Sequence, residues 1–250
     1  MYGIVKYPVS DMRSEPKFRS ERIHQLVFGE VVLIKDENDN IKQNDYIYAC
    51  DIRLNYCGYV NKHTLFILDE KEYKDFSKLN EVKISVPFCK SYGAIEYLLP
   101  FGSRLYTNSS SEYTEFYLPN GNVYKLVDTP FYKSTEPMEI AIQFLGVPYL
   151  WGGTSSYGFD CSGFVNRVYD VIDIILPRDA NQQEKSLQSV ETPQPGDLLF
   201  MEGHVMMYIG NNKIIHANGH DMCVNITDLD RENYGSYLKS KIRKIGRITG

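Results

Sequence analysis

The hydrophobic pattern of this chain changes its period near residue 130, and this change constrains the fold more than any other feature. From Met1 to about Asp128, short alternating apolar runs such as EVVLIKD, YIYACDI and YCGYVN are separated by Gly, Asn, Asp and Pro. Runs of this kind are typical of strands in small barrels. A charged stretch, DEKEYKDFSK at 69–78, divides this half, so the sequence predicts two small all-β domains in tandem.

After a connector that contains Pro130 and Pro137, the apolar residues recur at helical spacing. In MEIAIQFLGVPYL the repeat is formed by Ile140, Phe144 and Leu145. A second helix is predicted in CSGFVNRVYDVI, with an apolar face of Phe164, Val165, Val168 and Val171. Strand-like runs follow in GDLLFME, HVMMYIG, KIIHANG and RKIGRI. Helices followed by an antiparallel sheet predict a compact α+β domain over 130–250.

Charge and composition exclude several kinds of partner. The net charge is −5 and Lys and Arg are scattered, so we expect no nucleic-acid partner. The chain has neither a secretory leader nor an apolar run near the ~20 residues that span a bilayer. The five cysteines form an odd set without a CxxC pair, which argues against a disulfide framework and favours a reducing compartment. We therefore expect a cytoplasmic monomer, with export after removal of a leader as the alternative.

One cysteine lies where a helix is predicted to begin. The segment YLWGGTSSYGFDCSGFVNRVY brings Cys161 to the first turn, where partial positive charge and free N–H groups favour a thiolate and can receive an oxyanion. Cys161 is therefore a candidate nucleophile. The alternative is a buried packing thiol. The polar neighbours Asp160 and Ser162 argue against it, and Gly152 and Gly153 suit close approach of another chain or a substrate.

His204 and His216 are candidates for the base that a thiol nucleophile needs. They lie on successive predicted strands joined by a turn at 210–212. If Ile209 pairs with Lys213, both side chains point to one face and His216 orients His204. A two-residue turn would place them on opposite faces. The alternative for His216 is a half-buried histidine that only satisfies a backbone carbonyl.

A zinc site is the competing interpretation of the same region. His216, His220 and Cys223 follow one another at steps of four and three residues, and Cys161 could supply a fourth ligand. Such sites usually carry CxxC loops, which this sequence lacks. We therefore expect neither a metal nor a cofactor.

Six motifs in order, PYLWGG, FDCSGFV, LPRDANQQ, PGDLLF, HVMMYIG and IIHANG, resemble the NlpC/P60 family of cysteine peptidases. The resemblance implies a papain-like α+β fold, with Cys161 as nucleophile, His204 as general base and His216 as the third, orienting group. The β half resembles bacterial SH3 domains, and the run DMRSEPKFRSERIHQLVFGEVV is similar to the first barrel of γ-D-glutamyl-L-diamino acid endopeptidases. The predicted fold class is thus multidomain: SH3-like barrels at 1–68 and 69–129, then a peptidase domain at 130–250.

That subfamily implies a murein-derived substrate: a short peptide with a free N-terminal L-Ala, cleaved after γ-D-glutamate during recycling of wall peptides. The substrate-binding residues implied by the resemblance are Glu21, Tyr56, Tyr149, Trp151, Asp160 and Ser162. Among them, Asp160 and Ser162 would hold the free amine, while Glu21 and Tyr56 would close one end of the cleft.

Alternatives remain for this assignment. Asp160 could simply cap the helix, Glu21 could be a solvated charge and Tyr56 an ordinary barrel aromatic. The family pattern is broken at HVMMYIG, which has methionines where small residues are common, and at Ala180, where a serine often stands. A different class of function is a wall-binding SH3 module with a secondary or broader endopeptidase or amidase activity.

Overall fold

The computed structural model describes residues 1–36, 41, 43–108, 115–231 and 233–248. The chain divides into two compact units, Met1–Tyr132 and Lys133–Gly250. In these described ranges, no helix is both long and apolar enough to cross a membrane. The end of the predicted run SRLYTNSS, at 109–110, lies outside the described residues.

The first part of the N-terminal unit is an antiparallel sheet of seven strands. Its strands are β1 (Tyr2–Val5), β2 (Val9–Arg13), β3 (Arg22–Val27), β4 (Val31–Ile34), β5 (Tyr46–Asp51), β6 (Tyr56–Asn61) and β7 (Leu65–Leu68). They pair in the order β3-β2-β6-β5-β4-β1-β7. Alternate side chains, among them Met12, Leu26 and Val60, form one hydrophobic cluster. Since β3 and β7 stand at the two ends of this order among the described strands, a closed SH3-like barrel is not confirmed.

Cys50 and Cys57 form a disulfide with a Cα–Cα distance of 4.0 Å. The expectation that the cysteines form no disulfide is therefore wrong. The physical reason is the β5–β6 hairpin, whose register places the two residues directly opposite each other. Among the described residues, Cys89, Cys161 and Cys223 are free.

The charged stretch at 69–78 contains a helix rather than a simple break: α1 (Glu70–Phe76). A capping box starts it, because the Asp69 side chain accepts from the N–H of Glu72 and the Glu72 side chain accepts from the N–H of Asp69, each at 2.8 Å. The following strands are β8 (Asn80–Lys83), β9 (Phe88–Tyr92), β10 (Tyr97–Pro100), β11 (Arg104–Thr107), β12 (Glu115–Tyr117) and β13 (Val123–Leu126). They form the sheets β10-β9-β13-β12 and β11-β8 around a second cluster.

The C-terminal unit contains the predicted change to helices followed by a sheet. Its helices are α2 (Pro137–Ile142), α3 (Cys161–Asp170), α4 (Ala180–Ser186) and α5 (Tyr234–Lys241). Its strands are β14 (Thr154–Ser155), β15 (Gly158–Phe159), β16 (Gln188–Val190), β17 (Leu198–Met201), β18 (His204–Gly210), β19 (Lys213–Asn218), β20 (Cys223–Asp228) and β21 (Lys244–Arg247). The main sheet is antiparallel, in the order β16-β21-β17-β18-β19-β20.

The central helix α3 is buried along its whole length. Phe164, Val165 and Val168 are completely buried, as their spacing predicts. Val171 lies just beyond the last helical residue. The predicted apolar face of α2 is only partly present, because Leu145 is 46% exposed. The helix ends at Ile142, so this side chain lies outside its repeat.

Candidate active site

The loop before α3 fixes the position of Cys161. Asp160 is the N-cap of the helix, and its side chain accepts from the N–H of Gly163 at 2.7 Å. A Cβ on Gly163 would collide with the carbonyl oxygen of Gly153. The close approach predicted for the glycines is therefore made by the loop itself, and it holds Cys161 in the first turn of α3.

The thiol of Cys161 lies beside the beginning of β18. The thiol donates a hydrogen bond to the carbonyl oxygen of Gly203 at 3.9 Å. Its sulfur accepts a hydrogen bond from the backbone N–H of Val205. These two residues flank His204 in the chain. The structure thus brings the candidate nucleophile to the strand position that carries the candidate base.

Burial raises the pKa of the Cys161 thiol to about 11, and the charge of Asp160 acts in the same direction. The backbone N–H groups of Val205 and Ser162 oppose this shift but do not reverse it. Burial also lowers the pKa of His204 to about 4. At neutral pH these shifts favour a thiol at Cys161 and a neutral imidazole at His204, so a nucleophile at this position would need a base.

His204 and His216 are joined by a hydrogen bond of 2.9 Å between Nε2 of His204 and Nδ1 of His216. His216 is completely buried in β19. Its pKa is lowered to about 3 by burial, with smaller effects of His204 and His220. Since this bond occupies Nε2 of His204, Nδ1 is the ring nitrogen left to bind another proton.

The hairpin between the two histidines has the two-residue turn that the sequence allowed as an alternative, together with a bulge. Asn211 and Asn212 form a two-residue turn with φ values of 51° and 53°, and Gly210 pairs with Lys213. A bulge between Tyr208 and Gly210 absorbs one residue, so Met207 pairs with Ile215. The predicted pair of Ile209 with Lys213 is wrong, but both histidines lie on one face as predicted.

Arg178 is a member of this site that the sequence interpretation did not assign. Its guanidinium donates to Asp160 Oδ1 at 3.1 Å, to Asp160 Oδ2 at 2.6 Å and to the Ser162 hydroxyl at 2.9 Å. The Ser162 hydroxyl in turn donates to Asp160 at 3.3 Å. Arg178 is 2% exposed, so a fully paired buried cluster lies beneath the start of α3. The only available signal was its place in the motif LPRDANQQ.

Two predicted pocket residues precede Asp160 in the chain. Burial raises the pKa of Tyr149 to about 12, and the charges of Cys161 and Asp160 add to the shift, which places the phenol near both. Trp151 is 62% exposed. Tyr149 is therefore a half-buried aromatic near Cys161, and Trp151 is an exposed one.

The two predicted residues of the β half lie in the N-terminal unit. Glu21 is exposed just before β3, and its carbonyl accepts from the N–H of Ser14 at 3.0 Å. Tyr56 begins β6, packs on the hydrophobic cluster and meets the ring of His24 edge-on at 5.7 Å. Their role in closing a cleft stays a prediction.

The side chains of the competing zinc interpretation have other partners. His220 stacks on Tyr234 at 3.9 Å and bonds to Asp221 at 3.0 Å. In the described part of the chain, no three His, Cys, Asp or Glu side chains lie close enough to hold a metal ion.

Residues 146–243 match the profile of the NlpC/P60 family. The chain carries an NlpC/P60 domain. Its predicted assignment to the cysteine peptidases of this family, and with it to the hydrolases, is confirmed.

Two curated relatives agree with this assignment. Dipeptidyl-peptidase 6 of Lysinibacillus sphaericus is 27% identical over 278 residues, which cover 99% of this chain and 100% of the relative. A gamma-D-glutamyl-L-lysine dipeptidyl-peptidase of Bacillus cereus is 37% identical over 117 residues, which cover 43% of this chain and 35% of the relative. A crystal structure of an NlpC/P60 family protein from Bacillus cereus has a TM-score of 0.83 at 21% identity and covers 99% of each chain, so the two share a fold.

Proposed function

We propose that this chain hydrolyses the bond between γ-D-glutamate and a diamino acid in short murein peptides. Cys161 is the nucleophile, His204 the general base and His216 the group that orients the base. The observation that carries the proposal is the contact of the Cys161 thiol with both neighbours of His204, together with the 2.9 Å bond from His204 to His216. The substrate class is supported by the names of the two relatives.

The reaction proceeds through an acyl-enzyme. As the sulfur of Cys161 attacks the γ-carbonyl carbon of the glutamyl residue, its proton passes to Nδ1 of His204. The N–H groups at the start of α3 stabilise the oxyanion. When the C–N bond breaks, His204 returns the proton to the departing amine and a thioester remains. Water, deprotonated by His204, then hydrolyses the thioester and restores the thiol.

Mass spectrometry of products tests this proposal. Wild-type protein incubated with L-Ala-γ-D-Glu-L-Lys and its diaminopimelate counterpart should release the free diamino acid. The variant Cys161→Ala should release none, while the matched control Cys223→Ala, which removes another free cysteine of the same unit, should retain activity. Release by Cys161→Ala would disprove the assignment of the nucleophile.

The finer proposal is that the substrate needs a free N-terminal amine. Four donors already surround the Asp160 carboxylate: the N–H of Gly163, the hydroxyl of Ser162 and two guanidinium nitrogens of Arg178. Three of these donors meet Oδ1 and one meets Oδ2, so Oδ2 has room to accept a further hydrogen bond from a substrate ammonium. We propose that the amine binds at Oδ2 of Asp160.

N-acetylation of the substrate distinguishes amine recognition from simple helix capping. If Asp160 recognises the amine, N-acetylation lowers kcat/KM of the wild type by about 10-fold or more, the equivalent of one charge-assisted hydrogen bond. Asp160→Asn should cause a similar loss with the free peptide. If Asp160 only caps the helix, Asn replaces it with little effect, and equal cleavage of free and acetylated peptides would leave a broader wall endopeptidase in its place.

We also propose a role in the recycling of wall peptides. This role depends on the compartment in which the protein works. The Cys50–Cys57 disulfide supports the exported alternative, because disulfides persist in oxidising compartments. Differential alkylation of the two cysteines in intact cells tests this. Thiols at both positions would support the cytoplasm, and an intact disulfide would support export.

A further inference from the structure

A chain of side-chain hydrogen bonds extends beyond the His204–His216 pair to the surface. Nε2 of His216 lies 3.1 Å from the Thr227 hydroxyl oxygen. The Thr227 hydroxyl donates to Asn225 Oδ1 at 3.3 Å, and Asn225 Nδ2 donates to Asp221 Oδ2 at 2.9 Å. None of these three polar residues lies in the six family motifs.

We propose, given the cysteine-peptidase function above, that Thr227 is a positioning residue that selects the tautomer of His216 and thereby keeps Nδ1 of His204 free to act as the base. Thr227 acts through His216, which in turn acts through His204. Asn225 and Asp221 fix the direction of its hydroxyl proton.

The donor–acceptor direction of this series of hydrogen bonds follows from its last residue, Asp221. The carboxylate of Asp221 only accepts hydrogen bonds, so the side of Asn225 that faces it must be the NH₂ group. Oδ1 of Asn225 then faces Thr227 and can only accept. The Thr227 proton is committed to that contact, which leaves an oxygen lone pair toward His216.

The tautomers of both histidines follow from that lone pair. With an acceptor at 3.1 Å, Nε2 of His216 carries its proton and Nδ1 is bare. Bare Nδ1 of His216 accepts the proton on Nε2 of His204 across 2.9 Å. The remaining nitrogen of neutral His204, Nδ1, is then unprotonated and can accept the proton of Cys161.

Asn218 favours the opposite tautomer. Its Oδ1 accepts the N–H of Asp221 at 2.7 Å, so its NH₂ group is directed toward Nε2 of His216, 3.2 Å away. If Asn218 prevailed, His216 would carry its proton on Nδ1 and donate it to His204. His204 would then hold its own proton on Nδ1 and could not act as base. Thr227, as an acceptor, therefore competes with the donor Asn218 for Nε2 of His216.

The experiment compares Thr227→Val with Thr227→Ser. Valine keeps the shape and removes the acceptor, so Asn218 should become the dominant partner of His216. We expect kcat to fall by about 10²-fold with KM nearly unchanged, the lower range for loss of a general base. Serine keeps the hydroxyl and should restore most of the activity. Thr192→Val, at an exposed position of the same unit, is the matched control and should be neutral.

Nitrogen-15 NMR of the five histidines supplies a readout that does not depend on turnover. In the wild type, His204 and His216 should both be the Nε2–H tautomer. In Thr227→Val, both should change to Nδ1–H. A wild-type His216 protonated on Nδ1, or a Thr227→Val protein with unchanged tautomers, would overturn the inference. If the wild type cleaves no murein peptide, the proposed function fails, while these spectra still decide the role of Thr227.

Discussion

The Asp160 carboxylate and the Arg178 guanidinium form a bidentate, buried ion pair, with Oδ1–Nη1 and Oδ2–Nη2 distances of 3.1 and 2.6 Å. The same carboxylate caps the helix that begins with Cys161. An arginine in a loop thus holds the cap of the helix that carries the candidate nucleophile.

Replacement of Arg178 by alanine should destabilise the protein strongly. The substitution leaves Asp160 as a buried charge without its partner, so the free energy of unfolding should fall by about 3–5 kcal/mol. Arg243→Ala is the control, because its ion pair with Glu184 is exposed and should contribute only ~0–1 kcal/mol. Urea denaturation measures both variants. Equal losses would show that burial adds nothing to the Asp160–Arg178 pair.

The rate of Cys161 alkylation should not reach a plateau near neutral pH. The thiolate is the reactive form, and burial raises the pKa of this thiol to about 11. Inactivation by iodoacetamide should therefore accelerate by about tenfold per pH unit between pH ~7 and ~9. A rate that is constant from pH ~5 to ~8 would instead reveal a preformed thiolate–imidazolium pair. Modified peptides identified by mass spectrometry would separate Cys161 from Cys223.

On the acid side of the pH profile, kcat/KM should decline only at low pH. His204 must be neutral to accept a proton, and burial lowers its pKa to about 4, so kcat/KM should stay near its maximum as the pH falls through the usual histidine value of 6.5. The loss should come only as the pH approaches 4. A limb near 6.5 would contradict this environment for His204.

Stability provides the necessary control for that profile. Since burial lowers the pKa of His204 and of His216 below the value in the unfolded chain, their neutral forms contribute stability above pH ~6.5, and it is lost progressively as the pH falls. Circular dichroism over the same pH range would separate unfolding from protonation of the base.

Loss of the Cys50–Cys57 disulfide should destabilise the N-terminal unit. The bond closes a loop with a sequence separation of 7, for which loop entropy gives ~2 kcal/mol. The double variant Cys50→Ser/Cys57→Ser should therefore unfold at a lower urea concentration. Cys89→Ser, at a buried free thiol, controls for loss of a cysteine without loss of a crosslink. Five titratable thiols in unreduced, denatured wild-type protein would show that the bond is absent.

Local pattern predicted much of the C-terminal unit. The apolar repeat of 161–170 and the alternation in 204–210 and 213–218 are short-range signals, and they located α3, β18 and β19. The face shared by His204 and His216 also followed from strand alternation.

Contacts between residues that are distant in the chain could not be predicted from local sequence pattern. Arg178 meets Asp160 across 18 residues of chain, and nothing in the local pattern of either residue specifies the other. The disulfide is different, because the β5–β6 register that pairs Cys50 with Cys57 could have been inferred from the two strands that were predicted. An odd number of cysteines is therefore weak evidence against a disulfide in this chain.

The bulge between Tyr208 and Gly210 also affects how this hairpin can change in evolution. The bulge contains one extra residue, Ile209, which takes no part in the cross-strand pairing with β19. Deletion of Ile209 would leave a regular hairpin in which Met207 still faces Ile215. Deletion of a residue between His204 and the bulge would instead shift His204 to the other face of the sheet. Sequence gaps in related hairpins should therefore be tolerated at the bulge and avoided before it.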